Sequence, residues 1–383
     1  MKNMILKFLT LTNRIIPKNK KYIIFTSYPD MTDNSYAFYE YMLKNYPEKY
    51  KFIWLVEPSF SDKNKNLEHT KIISKKSILG FYYYCRSKYI FFTHGLYNGI
   101  DSSSKQIVVN LWHGMPLKSI GYLDNKSEFP KSNFTIATSS NFQTIMSKAF
   151  KQPVESVLVT GQPRNQYLLN VNEDLLSEFG VHKNNYKKVI AWLPTYRKST
   201  FGDIRNDGTI QELLPLVNRS ELLQLDTYFQ EQNIFCFIKL HPMDILTKED
   251  FDAYSNIIIL DNDDFLSKSI QLYSFLANVD ALITDYSSVY IDYMLTKKPI
   301  GFVIPDIKSY EENRGFAFEN ILERLPGQII QTYLELESFI SQLLKDDKPV
   351  NYLENGLYGF YHSVDKDFSS NIYTRVFKKL ESK

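Results

Sequence analysis

ALITDYSSVYIDYML, residues 281–295, decides how this chain is read. The apolar run Ala281–Thr284 has the pattern of a short buried strand, Asp285-Tyr286-Ser287-Ser288 interrupts it, and a helical pattern follows. A strand handing over to a helix through such a loop is the repeating step of a parallel α/β sheet. The first N–H groups of a helix lack partners within it, so the hydroxyls of Ser287 and Ser288 lie where helix starts hold phosphate. Asp285 or Ser287 serving only as the helix cap is the alternative, and a cap leaves N–H groups over for an anion. IVVNLWHGMPLKSIG at 107–121 makes a similar junction in the first half, bringing His113 and Gly114 to a strand end.

Working outward, the alternation runs through both halves. Strands KYIIFTS, KFIWLVE, KIIS, YIFFTH and KQIVVNLWH, with helices over about 34–46 and 77–86, precede two further strand-helix units after Pro130. VIAWLPTYR then starts a second series with strands NIFCFIKL, NIIIL, ALIT and PIGFVI and helices near 220–231, 265–277 and from Ser288. The reading is two Rossmann-like doubly wound domains, 18–170 and 189–365, joined by a polar linker at 171–188. Residues 366–383 are expected to form a helix packing back on the first domain. At 383 residues, two cores are the natural division.

Residues 1–17 differ in kind. Met4, Ile5, Phe8, Leu9, Thr12, Ile15 and Ile16 approximate one apolar stripe, Lys2, Lys7 and Arg14 lie alongside, and Pro17 stops the helix. A basic amphipathic helix of this kind fits a membrane interface, and an ordinary helix packed on the first domain is the alternative. A signal peptide would need a small-residue cleavage site, which the segment lacks.

The remaining composition excludes more than it selects. Lys and Arg total 45 against 43 Asp and Glu, which gives no global field for nucleic acid. No window of 18 apolar residues argues for a membrane span. Cys85 and Cys236 are the two cysteines, too few for a disulfide framework, so a cytoplasmic setting is the default. No dinucleotide or P-loop glycine motif and no nucleophile elbow occurs.

The polar residues at strand ends carry the chemistry. His113, ahead of Gly114, can accept an alcohol proton, and Pro116, Lys118 and Gly121 follow in a cationic loop. FCFIKLHPMD places Lys239 and His241 at the end of a strand, on one face if the strand extends that far, where they can neutralise a pyrophosphate. Arg197 follows the strand and turn AWLPTYR, suited to gripping phosphate. Asp292 lies one helical turn beyond Ser288. Each of these has a bland counterpart as a cap, a satisfied core polar group or a surface charge. Asp261, Asp263 and Asp264 read as helix capping or solvation rather than as a metal cluster.

LWHGMPLKSIG, LPTYR, KLHP, ITDYSSVYIDYMLTKKPIGF, SYEENRGF and LPG stand in one order along residues 20–375. In these blocks the chain resembles the CDP-glycerol:poly(glycerophosphate) glycerophosphotransferase family of teichoic acid and capsule synthesis. The resemblance implies a GT-B-like fold with the two domains facing a central cleft, and transfer of a polyol phosphate from CDP-glycerol, or CDP-ribitol, to a polyprenyl-diphosphate-linked acceptor with release of CMP. It implies His113 as base, His241 at the donor diphosphate, and Arg197, Lys239, Ser287 and Ser288 on phosphates. Asp285 would orient the loop, Asp292 would help place polyol or histidine, and Gly114 and Lys118 would lie on the acceptor side. It implies no cofactor and no required metal, no nucleic acid partner, and peripheral attachment at the cytoplasmic face of the membrane, with a homo-oligomer left open. A nucleotide-sugar glycosyltransferase, a sugar-nucleotide epimerase and an inactive membrane-associated scaffold are the competing readings.

Overall fold

The structure is a computed structural model and describes residues 2–61, 67–123, 131–172, 174–195, 213–241, 244, 246–251, 253–345, 349–352 and 356–378. It divides into two compact units, one of residues 1–116, 120–166 and 360–383, the other of residues 117–119 and 167–359.

In the first unit the short apolar runs become seven strands: β1 (Asn19–Thr26), β2 (Lys51–Val56), β3 (Thr70–Ser74), β4 (Ser87–Phe92), β5 (Ile107–Asn110), β6 (Phe134–Ala137) and β7 (Val157–Val159). They form one parallel sheet in the order β3-β2-β1-β4-β5-β6-β7. A parallel sheet is buried on both faces, and successive side chains supply both cores. Ile23 and Phe25 of β1 enter a cluster with Phe38, Trp54, Phe91 and Phe377, while Ile24 enters another with Ile53, Tyr84 and Ile90. Tyr373 and Phe377 of the chain's last segment stack on Tyr46 and Tyr89. Gly161 permits this docking: its φ is +70°, and a Cβ there would stand 2.3 Å from a ring carbon of Phe368. The terminal segment is a short helix, Phe368–Tyr373, followed by a π-turn, Thr374–Lys378.

The second unit repeats the plan with β8 (Lys188–Leu193), β9 (Ile234–Lys239), β10 (Ile257–Leu260), β11 (Ala281–Thr284), β12 (Ile300–Val303) and β13 (Gln328–Ile330). They are parallel in the order β10-β9-β8-β11-β12-β13. Both sheets reverse strand order once, at β1/β4 and at β8/β11, and in open α/β sheets ligands bind beyond the strand ends at such a point.

Several elements differ from the sequence reading. The polar stretch 171–188 is part of the second unit rather than a bare linker: Leu176 and Val181 are buried, and Phe179 packs against Phe237, Phe265 and Phe275. The helix expected over 265–277 is two, Asn262–Ser267 and Leu272–Leu276, broken where Ser269 takes a φ of +55°. Asp261 and Asp264 form the capping box of the first of these. The N-terminal helix, Lys2–Ile15, turns much of its apolar surface outward. Asn13 is buried against Gln106 and Ile16 joins the core around Ile24, whereas Met4, Ile5, Phe8, Leu11 and Ile15 are exposed. Packing against the Ile78–Arg86 helix turns one side inward and leaves these apolar residues outside. Among the described residues no helix is long and apolar enough to cross a membrane.

Candidate active site

At the β1/β4 switch point, side chains from four strand ends meet. β5 stops at Asn110, three residues short of His113, because Asn110 turns its side-chain oxygen back onto the Trp112 N–H at 2.9 Å. Trp112 then adopts a φ of +51° and Gly114 one of +145°, the latter in a region where a Cβ is strained. Asn34, at the start of the Asp33–Asn45 helix, fixes this turn by donating to the carbonyls of Leu111 (3.2 Å) and Trp112 (3.0 Å) and to Gln162 (3.0 Å). Arg164 donates to the His113 carbonyl at 2.9 Å and to Asp33 at 2.7 Å, a buried ion pair.

The His113 ring is held between neighbours. His94 stacks on it with centroids 4.0 Å apart and planes 9° apart, and the Trp112 ring lies 4.0 Å away. Nδ1 of His113 is 3.3 Å from the carbonyl oxygen of Thr93. A carbonyl only accepts, so Nδ1 carries the hydrogen and Nε2 keeps its lone pair. Burial, then the adjacent His94, push the His113 pKa down to about 3, so the ring is a neutral acceptor at any ordinary pH. Burial also lowers the pKa of His94, whose Nδ1 lies 2.9 Å from the Thr93 hydroxyl.

At the β8/β11 switch point the polar groups close on one another. Asp285, buried, accepts from the Thr195 N–H at 2.9 and 3.1 Å and from its hydroxyl at 3.0 Å, tying the end of β11 to the end of β8. Arg197, two residues on, lies outside the described residues. Ser287 and Ser288 are half-buried, and Ser287 Oγ accepts from Val289 N–H at 3.4 Å. The helix they open is only Val289–Tyr293, ended by Lys297 in the left-handed region ahead of Pro299, so its dipole is smaller than the sequence pattern implies. Asp292 is fully buried and accepts from the Tyr273 hydroxyl at 3.0 Å, which leaves its carboxylate no open face.

β9 ends at Lys239, so strand alternation does not extend to His241, and Pro242 follows at once. His241 is half-buried. Lys239 bends its ammonium onto Asn262 (2.9 Å) and the Leu240 carbonyl (3.2 Å), and burial lowers its pKa to about 8 although Asp261 and Asp264 pull the other way. Lys118, read on the acceptor side, belongs to the second unit. It forms an antiparallel bridge with Phe316, the Ala317 N–H donates to the Leu117 carbonyl at 2.7 Å, and its ammonium lies 5.3 Å from the Tyr310 ring centroid. Tyr310 in turn stacks on Tyr286 at 3.7 Å. Among the described residues no group of three or more His, Cys, Asp and Glu converges as metal ligands.

Residues 8–378 match the CDP-Glycerol:Poly(glycerophosphate) glycerophosphotransferase family. The chain belongs to this family. Among its relatives is a teichoic acid poly(glycerol phosphate) polymerase of Staphylococcus epidermidis, 29% identical over 94% of this chain and 51% of that protein. Another is a teichoic acid poly(ribitol-phosphate) polymerase of Bacillus spizizenii, 26% identical over 95% of this chain and 57% of that one. The chain thus spans about half the length of both. Among solved structures, the wall teichoic acid polymerase TagF soaked with CDPG superimposes with a TM-score of 0.74 at 24% identity, over all of this chain and 94% of that one. That likeness establishes the shared GT-B-like fold.

Within this family member, sequence reading overlooked His94, Asp33, Asn34, Gln162 and Arg164. GQPRN at 161–165, a glycine and a proline flanking Gln162 with an arginine next, shortly after β7, was the available signal. Asp33 and Asn34 gave none, because their role is to hold a loop 77 residues away in sequence.

Proposed function

We propose that this chain transfers glycerol phosphate from CDP-glycerol to a hydroxyl of a lipid-linked acceptor and releases CMP. The observation that carries this reading is the lone pair that the Thr93 contact leaves on Nε2 of His113, at a switch point, in a chain of the glycerophosphotransferase family. His113 Nε2 takes the acceptor's hydroxyl proton while that oxygen attacks the phosphorus bearing glycerol, and the bond from this phosphorus to the CMP oxygen breaks. In-line displacement asks mainly for alignment and charge neutralisation. An anionic phosphate brought beside His113 raises the proton affinity that burial depresses. Gly114 lets the acceptor approach the base. In the second unit Lys239, whose ammonium is costly to bury, the hydroxyls of Ser287 and Ser288, and Arg197 neutralise the donor, and His241 protonates or stabilises departing CMP. Asp285 positions the Thr195 segment that leads to Arg197, Asp292 acts through Tyr273, and Lys118 adds a cation in this unit.

Attachment is peripheral, at the cytoplasmic membrane face. Met4, Phe8 and Ile15 are 72%, 67% and 71% exposed, and Ile78 of the neighbouring Ile78–Arg86 helix is 92% exposed. Residues 1–29 and 69–100 together contain eleven Lys and Arg and no Asp or Glu, a surface suited to anionic headgroups. Removing residues 1–17 is expected to release the protein from anionic vesicles, and unchanged binding would place the contact elsewhere.

A ribitol donor is the second reading, favoured by the poly(ribitol-phosphate) polymerase among the relatives. CMP release from CDP-glycerol and CDP-ribitol, with and without a lipid-linked acceptor analogue, separates the two. Release from neither donor by correctly folded protein would move the weight to a glycosyltransferase or a scaffold.

A further inference from the structure

The β1/β4 switch point holds more than a base. A cavity of about 410 Å3 opens there, lined by Thr26 and Ser27 at the end of β1, Lys75 and Lys76 after β3, and His94 and Tyr97 after β4. The ammoniums of Lys75 and Lys76 lie 2.7 and 3.2 Å from the single carboxylate of Glu57, which holds both in place. Asp30 accepts the Glu57 N–H, and burial raises its pKa although Lys75 pulls the other way. Tyr97 fixes the turn by donating its hydroxyl to the Lys75 carbonyl at 2.5 Å.

The lysine turn leads directly into the Ile78–Arg86 helix, whose Ile78 and Leu79 are 92% and 53% exposed. Gly80 allows that first turn to close on β3, since a Cβ there would stand 2.4 Å from the Ser74 carbonyl oxygen. His94, in the same lining, stacks on His113. Paired ammoniums and the imidazole of His94 thus share one lining, and exposed apolar side chains follow the ammoniums directly in the chain, the complement of an amphiphile with a phosphorylated head and a hydroxyl beyond it.

We infer that this cavity is the subsite for the phosphate or diphosphate head of the acceptor, with its apolar chain along Ile78 and Leu79 and its hydroxyl end toward His113. Only the assignment as acceptor rests on the transfer reading above. The affinity for an anionic amphiphile rests on the cavity itself.

Farnesyl diphosphate titrated into the full chain tests it by calorimetry. Removing two charge-assisted contacts in K75Q/K76Q is expected to weaken binding by about tenfold or more, with K75R/K76R restoring it. The exposed-site variant I78S/L79S, which carries little risk to folding, is expected to weaken farnesyl diphosphate binding about threefold or more and to leave inorganic pyrophosphate binding unchanged. Equal affinity of wild type and K75Q/K76Q, with unchanged melting curves, would overturn the inference. So would displacement of farnesyl diphosphate by CDP-glycerol, which would make this the donor's diphosphate site, and so would farnesol binding as tightly as farnesyl diphosphate. If farnesyl diphosphate binds as described while neither CDP-polyol yields CMP, the anionic-amphiphile subsite stands and the transfer reading falls.

Discussion

The two switch points are built from the same step and end differently. Beyond β1 and β4, polar side chains line an open cavity, and those that hold the base, Asn34 and Arg164, do so mostly through its backbone. Beyond β8 and β11, Asp285 closes on Thr195, Lys239 on Asn262 and Asp292 on Tyr273. The first arrangement presents reactive atoms, and the second mainly fixes loop geometry. A strand-end polar residue is thus a site only where its own hydrogen-bonding capacity is left over after folding.

Breaking the base should have the largest effect. His113→Asn keeps a polar side chain but loses the lone pair on Nε2, and acceptor-dependent CMP release is expected to fall about 10²–10⁴-fold. A loss under threefold would move general-base duty elsewhere. Arg164→Met removes one partner of a buried ion pair and strands Asp33 together with the His113 carbonyl, an expected loss of about 3–5 kcal/mol in denaturant unfolding. A much smaller loss would mean that the base loop is held by Asn34 alone.

Asp285→Ala frees the buried Thr195 N–H and hydroxyl, and a loss of about 1–3 kcal/mol is expected, accompanied by a raised donor KM. Stability lost without any change in donor KM would sever Asp285 from the donor side. Because His113 stays neutral in the fold and unfolded imidazole protonates below about 6.5, the unfolded state binds more protons between pH 6.5 and about 3. Stability therefore falls as pH drops through that window, by at most about 1.4 kcal/mol per pH unit from this ring. Unfolding curves of His113→Asn should show a shallower slope there, and an unchanged slope would locate the acid sensitivity in other groups. The smallest effect is expected from Tyr273→Phe, about 0.5–1.5 kcal/mol for one hydrogen bond to Asp292. A larger effect on donor KM than on stability would return Asp292 to the donor site.

Much of the fold could be read from local pattern. Short β-branched runs such as IVVN and ALIT are strands in the structure because burial on both sheet faces demands continuous apolar residues. Element ends were less legible. His113 lies past its strand because Asn110 turns the chain, and the helix after Ser288 is a single turn and a half because Lys297 and Pro299 stop it. The N-terminal segment shows the limit of periodicity: the pattern marks an amphipathic helix, and only its packing beside the Ile78–Arg86 helix shows that Met4, Phe8 and Ile15 stay exposed.

By itself the sequence determined two parallel α/β units, family membership and the residue types at strand ends, because strand and helix periods and loop motifs are local properties. Only the tertiary structure decided which of those residues have capacity to spare. It stacked His94 on His113, set Asn34 and Arg164 behind the base, placed Lys118 against Phe316 and Tyr310, and turned Asp292 inward. Each of those outcomes depends on partners far away in the chain, brought together by the order of strands in a sheet, and no window of sequence records that order.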